Sequence, residues 1–348
     1  IGIRGTYAAT PALNVVYQCE TQASIDNVAD TRALCNRNSR IGLSGDWGTL
    51  FLGNWDTPYK AGTYGTKADD PFGNTDVFGF QGIMGSPGFN TRSNVWLGTN
   101  AAAFDLRASN SVAYWTPKFS GLSAKVQWGV DETRAANGTV DPTLLSGVVN
   151  YDLAGLSLVA SAEYHEDAFG LRQISGANTG NTSAKDLAWR LAAGYELPLP
   201  MGALTIMGMF EQLSYKQDEA GGGTDLQDYD RMAWLLGAKF KTGNHEIRAR
   251  YSMAMAPNCT LASGTDCADS VTDDLGASQY ALGYAYHVAK NTQLYAFFTQ
   301  IMNDNASDGA GDPSAQYTFT VGGAPGMGGG TPAGADPMEA GLGIRYAF

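Results

Sequence analysis

Stretches of about ten to thirteen residues that alternate apolar and polar side chains constrain this chain more than any other feature. In 155–165 (GLSLVASAEYH), Leu156, Leu158, Ala160, Ala162 and Tyr164 share one face, and Ser157, Ser161, Glu163 and His165 the other. The segment 186–197 sets Leu187, Trp189, Leu191, Ala193 and Tyr195 against Arg190 and Glu196. In 231–240, Met232, Trp234, Leu236 and Phe240 oppose Arg231 and Lys239; in 245–255, Ile247, Tyr251, Met253 and Met255 oppose Glu246, Arg248 and Arg250. The pattern returns at 279–288. Soluble strands average about 5–6 residues, whereas a tilted strand crossing a bilayer needs about 9–11. In a sandwich core the charged face would be buried without compensation. In a water-filled lumen it is solvated, with the apolar face turned to lipid. The expected fold is all-β: a transmembrane antiparallel β-barrel.

The connections fit that reading. Short turns at 8–13, 46–49, 118–121, 152–155, 197–202, 241–244 and 289–291 alternate with long polar loops at 22–37, 55–105, 132–141, 166–185, 216–228, 257–276 and 303–336. Short turns at one end and long loops at the other are the pattern of an outer-membrane barrel. Fifteen strands are expected: 1–8, 12–22, 38–46, 49–54, 106–117, 121–132, 142–153, 155–166, 186–197, 202–216, 229–241, 244–256, 277–289, 291–303 and 336–348. Bacterial barrels have even strand numbers and the sequence opens inside a strand, so a sixteen-stranded barrel is expected, its first strand lying upstream of Ile1. The whole of 1–348 reads as one domain, because a split would leave open sheet edges in the bilayer. The loop 55–105 is rich in Gly, Asn, Asp and Thr and keeps no long alternation. A structureless connection of this length points to function, and the expectation is that it folds into the lumen as a constriction.

Composition excludes other classes. Charged residues are 16% and Gly numbers 44 of 348, against about 25% and about 7% in soluble proteins. No apolar run approaches the roughly 18 residues of a membrane helix. The net charge of −12 argues against a nucleic-acid partner. The acidic loop stretches 218–230, 266–274 and 303–312 read as solubilising ends or as a surface for divalent cations, without EF-hand spacing. Only three histidines occur, with neither HExxH nor GxSxG. The Gly-rich run 322–334 lacks the Lys-Ser/Thr of a phosphate loop. Neither an enzyme nor a cofactor is therefore expected. Cys19 and Cys35, and Cys259 and Cys267, form two close pairs outside any zinc spacing; local disulfides are expected, with free thiols as the alternative.

The terminal strand MEAGLGIRYAF, ending on Phe348, resembles the C-terminal strand of Gram-negative outer-membrane barrels. IGIRG (1–5), VVYQCE (15–20), NSRIGLSGDWGTLFLGNWDTPY (38–59) and RASNSVAYWTPKFSGLSAKVQWG (107–129) resemble the general porin family, in its beta-proteobacterial branch. The resemblance covers essentially the whole chain. It implies a sixteen-stranded barrel, a homotrimer, and a third loop, here 55–105, folded into the lumen. Asn54 and Trp115 stand where family members often carry arginine, and ADDPFGNTD (68–76) only loosely echoes the usual acidic loop tip.

Strand parity sends Arg4, Arg40 and Arg107 inward, with Ser109, Ser111, Lys125 and Gln127. Asp69, Asp70 and Asp76 are the loop's carboxylates. A basic wall facing an acidic loop would set a transverse field across a narrow channel and tune ion preference. Glu20 and Trp115 complete the candidate constriction, and Lys125, Arg190, Arg231, Arg248 and Arg250 the charged wall. Inward bases, Lys239 and Arg345 among them, outnumber inward acids (Glu20, Asp131, Glu163, Glu196, Glu246 and Glu339), which points to a mild anion preference. The expected function is passive diffusion of small hydrophilic solutes and inorganic ions through an outer-membrane pore, in contact with lipid and lipopolysaccharide. The rivals are a substrate-specific channel using Tyr64, Phe72, Phe78, Phe80 and Trp115, and a barrel that only displays its loops.

Overall fold

The computed structural model describes residues 1–21, 34–73, 80–88, 103–104, 106–130, 142–167, 184–217, 225–267, 275–304, 317 and 334–346. Among the described residues, sixteen strands form one antiparallel sheet. They are β1 (Gly2–Thr10), β2 (Leu13–Glu20), β3 (Ser39–Gly45), β4 (Gly48–Asp56), β5 (Arg107–Trp115), β6 (Leu122–Val130), β7 (Thr143–Leu153) and β8 (Leu156–Glu166). Then follow β9 (Ala184–Leu199), β10 (Gly202–Gln217), β11 (Leu226–Thr242), β12 (His245–Ala254), β13 (Asn258–Leu261), β14 (Ala277–Ala289), β15 (Thr292–Asn303) and β16 (Met338–Tyr346). Fifteen run in chain order along one path, from β1 through β12 and on through β14 to β16. The fifteen wall strands expected are these. β13 pairs with β11 off the path and lies in 257–276, a stretch that reads as irregular. β1 and β16 end the path, and no pairing joins them among the described residues.

Side-chain alternation explains the two faces. Leu145, Val149, Leu158, Leu191, Ile206, Leu236, Leu282 and Ile344 lie exposed on one face. The partners of opposite parity, among them Ser146, Ser157, Glu163, Arg190, Glu211, Arg231 and Arg250, are buried on the other. Aromatics gather near the short turns: Trp47 stacks on Tyr114 with centroids 6.3 Å apart, and His245 lies against Tyr284 and Tyr286. β9, β10 and β11 have 16, 16 and 17 residues, more than the roughly 9–11 a bilayer requires, so they rise beyond it. Both disulfides form, Cys19–Cys35 and Cys259–Cys267.

The polar face is buried because chain covers it. After β4, Thr57 caps a one-turn helix, α1 (Pro58–Ala61), with Pro58 supplying the preset φ of a first helical residue. A 3-10 turn follows at Phe80–Gly82. The loop expected to lack regular structure thus contains two short helical pieces among its described residues. Hydrogen bonds tie its residues to the wall strand by strand. Asn150 of β7 donates to the Gly62 carbonyl at 2.7 Å, and the Lys67 amide donates to Ser157 of β8 at 3.0 Å. Ten residues beyond Gly62, Phe72 packs on Ala281 of β14 with Tyr295 and Phe297 of β15. In a flat sheet, β7 and β15 would be about 34 Å apart, at roughly 4.8 Å per strand. Ten residues reach that only when fully extended, and this stretch is folded by turn bonds Tyr64→Ala61, Thr66→Thr63 and Asp69→Thr66. The sheet must therefore curl around the segment.

Candidate functional site

The segment after β4 is anchored by one carboxylate. Glu211 of β10 is fully buried. It accepts the Tyr59 hydroxyl at 2.6 Å, the Gly85 amide at 2.7 Å and Arg190 Nε at 3.0 Å. Arg231 lies 3.3 Å away on its other oxygen. Arg231 also donates to the Ile83 carbonyl at 3.1 Å and to that of Ser86, and the Tyr229 hydroxyl donates to the Pro87 carbonyl at 2.6 Å. Arg190 stands over the rings of Tyr59 and Phe80, 4.3 and 5.0 Å from their centroids. Ala68, Phe80, Ile83 and Met84 fill an apolar seam against Val148, Val159, Met207, Met209 and Leu235 of the wall. Charge, hydrogen bonds and packing thus hold the segment to one side of the curled sheet.

The loop's acids find other partners than those expected. Asp70 pairs with Arg250 of β12, both side chains fully buried. Asp69 accepts the Gly65 amide at 2.9 Å. Burial raises its carboxyl to about 7, helped by the neighbouring Asp70 charge and opposed by the Gly65 amide. Asp76 lies outside the described residues. The expected opposition of Asp70 to Arg4, Arg40 and Arg107 is therefore corrected, because β12 brings Arg250 to Asp70 first. Lys67 of the loop pairs with Glu196 at 2.7 Å.

The early strands hold the remaining candidates. Arg4 is exposed on β1, opposite Gln18 in register. Arg107 pairs with Asp56 at 2.9 Å and donates to Asn38 at 2.9 Å; Lys60 reaches the same Asp56 at 3.3 Å. Its parity is also corrected. Asn110 takes φ 49° and the β4–β5 register shifts between Gly53 and Trp55. The buried positions of β5 consequently run Ala108, Ser111, Ala113, and Arg107 falls out of phase with Ser111. Glu20 pairs with Arg37 at 2.8 Å, and Arg248 with Glu246 through Nε at 2.6 Å.

Arg40 has an aromatic surround. Its guanidinium carbon lies 4.6 Å from the Trp55 ring centroid, 4.7 Å from that of Trp115 and 5.0 Å from that of Phe51. Those rings meet edge to face at 5.0–5.6 Å. Lys125 of β6 also lies over Trp115, at 5.1 Å. The sequence singled out Arg40, Trp115 and Lys125 but missed Phe51, Trp55, Tyr59 and Glu211. For Phe51 the signal was strand parity.

Residues 2–306 match the Gram-negative porin family. Outer membrane porin protein 32 of Delftia acidovorans is 26% identical over 353 residues, spanning 100% of this chain and 84% of that protein. Among solved structures, an anion-selective porin from Comamonas acidovorans superposes with a TM-score of 0.71 at 23% identity, over 100% of this chain and 88% of that one. OmpT, an outer membrane protein of Vibrio cholerae in trimer form, superposes with a TM-score of 0.56 at 14% identity, over 99% and 89%. Long alternating strands, a sheet curled around its own polar face and this family match agree: the chain belongs to the Gram-negative porins, β-barrels of the outer membrane through which solutes diffuse passively.

Proposed function

We propose that 55–105 is a constriction loop inside the barrel of a single domain, 1–348, and that the pore it leaves passes small hydrophilic solutes and inorganic ions with a mild preference for anions. The observation that carries this reading is the Tyr59–Glu211 contact with the Asp70–Arg250 pair: a loop leaving β4 is fastened to strands on the far side of the sheet. A chain held there narrows whatever channel the sheet encloses. The charge balance supports the anion preference. Arg190 and Arg231 share Glu211, and Arg40 and Lys125 face rings rather than carboxylates. Each arrangement leaves positive charge in excess, although the chain as a whole carries −12. The solved Comamonas relative is itself an anion-selective porin.

The working unit on this reading is a homotrimer, as in the trimer form of the Vibrio protein, with lipid and lipopolysaccharide against the exposed apolar face. Divalent cations would be held at the acidic external loops. The pore has no catalytic turnover and no cofactor. Reversal potentials across a bilayer in a salt gradient test the selectivity: an anion-leaning potential is expected, and a clear cation preference overturns it. Deleting part of 65–90 tests the constriction, and is expected to raise conductance and weaken selectivity. A conductance unchanged by the deletion removes the loop from the pore.

A further inference from the structure

We propose that Trp115, Lys125 and Arg40 form a docking site for small aromatic carboxylates on the pore wall. The proposal rests on the reading of this chain as an open pore. Two cations stand within about 5 Å of one indole, Arg40 at 4.7 Å and Lys125 at 5.1 Å from the Trp115 centroid. Arg37, Lys60, Lys67, Arg107, Arg190, Arg231, Arg248 and Arg250 each pair with a carboxylate. Arg40 and Lys125 have no carboxylate partner among the described residues. Nε and Nη1 of Arg40 are buried without a hydrogen-bond acceptor, turned against the rings of its cage. Ring faces compensate a partly desolvated cation only in part, so the cluster lacks a counter-ion.

Position and shape decide what would supply that counter-ion. The hydrogen bonds tying 58–88 across to the sheet fall on β7 to β12. The Arg40 cluster belongs to β3–β6, beside the strands on which these hydrogen bonds of the described loop residues fall. Trp55 and Trp115 are each only partly buried, so an indole surface lies beside the charges. A carboxylate alone satisfies the cations, and a neutral ring alone satisfies the indoles. A flat ring bearing a carboxylate satisfies both, with its charge at Lys125 and its ring edge against Trp115. A cationic solute is repelled by both charges.

The test uses the full chain reconstituted in a planar bilayer, with benzoate against acetate (charge, no ring) and benzamide (ring, no charge), each block expressed as a fraction of that variant's own open current. Benzoate is expected to interrupt the current at concentrations about tenfold lower than either control, a factor equivalent to one good added contact. Lys125→Gln and Trp115→Leu are each expected to remove most of that advantage, and Lys125→Arg to restore it. Benzoate no better than acetate, or equal block in wild type and Lys125→Gln, overturns the site while leaving the pore intact. Should the chain not conduct at all, the pore reading fails. Saturation-transfer NMR of benzoate on the detergent-solubilised protein then decides the site alone: signal lost in Lys125→Gln supports it, and signal absent or unchanged overturns it.

Discussion

The Tyr59 hydroxyl donates to Glu211 Oε2 at 2.6 Å across 152 residues of sequence. The bond joins a helical turn of the loop to the middle of β10, where both residues are buried. Glu211 is also the counter-charge of Arg190 and Arg231. Glu211→Ala strands two buried guanidinium groups, and breaking a buried pair costs about 3–5 kcal/mol. The variant is expected to unfold at lower temperature in detergent and to show noisier single-channel current, as 58–88 loosens. Glu211→Gln keeps the shape but loses the charge, and should fall between. Quiet, wild-type current from Glu211→Ala would remove the anchor role.

Gly194 of β9 tests the loop's position without touching a charge. A Cβ at this position would lie 1.9 Å from the Lys67 carbonyl oxygen, and backbone cannot yield as a side-chain tip does. Gly194→Ala is expected to push 66–68 off the wall at about 1–3 kcal/mol, the ordinary cost of overpacking. Conductance should change while the ionic inventory stays fixed. A variant matching wild type in both stability and conductance would mean that the loop does not rest on β9.

The Cys259–Cys267 bridge ties β13 to the chain returning past it, where Thr260 pairs with Asp266, and β13 in turn pairs with β11, where Cys259 sits opposite Tyr229. A ring this short contributes roughly 2–3 kcal/mol, all of it local. The Cys259→Ala/Cys267→Ala variant is expected to be nicked faster by protease within 257–267 while its conductance stays at the wild-type value. A changed conductance would place this loop in the path of the current.

β8 shows where a strand can be read directly: its outer face is apolar, its inner face polar but for Val159, and each residue falls where alternation puts it. β10 defeats the same logic. Its inward Met207, Met209, Leu213 and Tyr215 are apolar because they pack on the loop, and its outward Ile206 and Phe210 are apolar because they face lipid. With both faces apolar, Glu211 gives no sign of its partners. Arg107 was misread for a local reason, since a bulge at Asn110 costs one step of alternation that no residue type announces. The partners of Asp70 depend on how far the sheet curls, a property of the whole path rather than of any one strand.

Asp69 gives the pore a titration near neutrality. Burial, with the Asp70 charge beside it, lifts its carboxyl to about 7, against about 3.9 for an unperturbed Asp. Above about 7 it carries a negative charge on the loop, and below it is neutral. Anion preference, read from reversal potentials, is therefore expected to strengthen as pH falls from about 8 to about 6. Asp69→Asn should hold the low-pH selectivity throughout. Between about 4 and 7 the unfolded chain gives up a proton that the fold retains, so this group's contribution to stability falls as pH rises through that window. Asp69→Asn removes the slope, and is expected to unfold at a higher temperature than wild type at pH about 8 and to lose that advantage at pH about 4. A wild-type selectivity flat across this range, with Asp69→Asn superimposed on it, would show that Asp69 faces no part of the ion path.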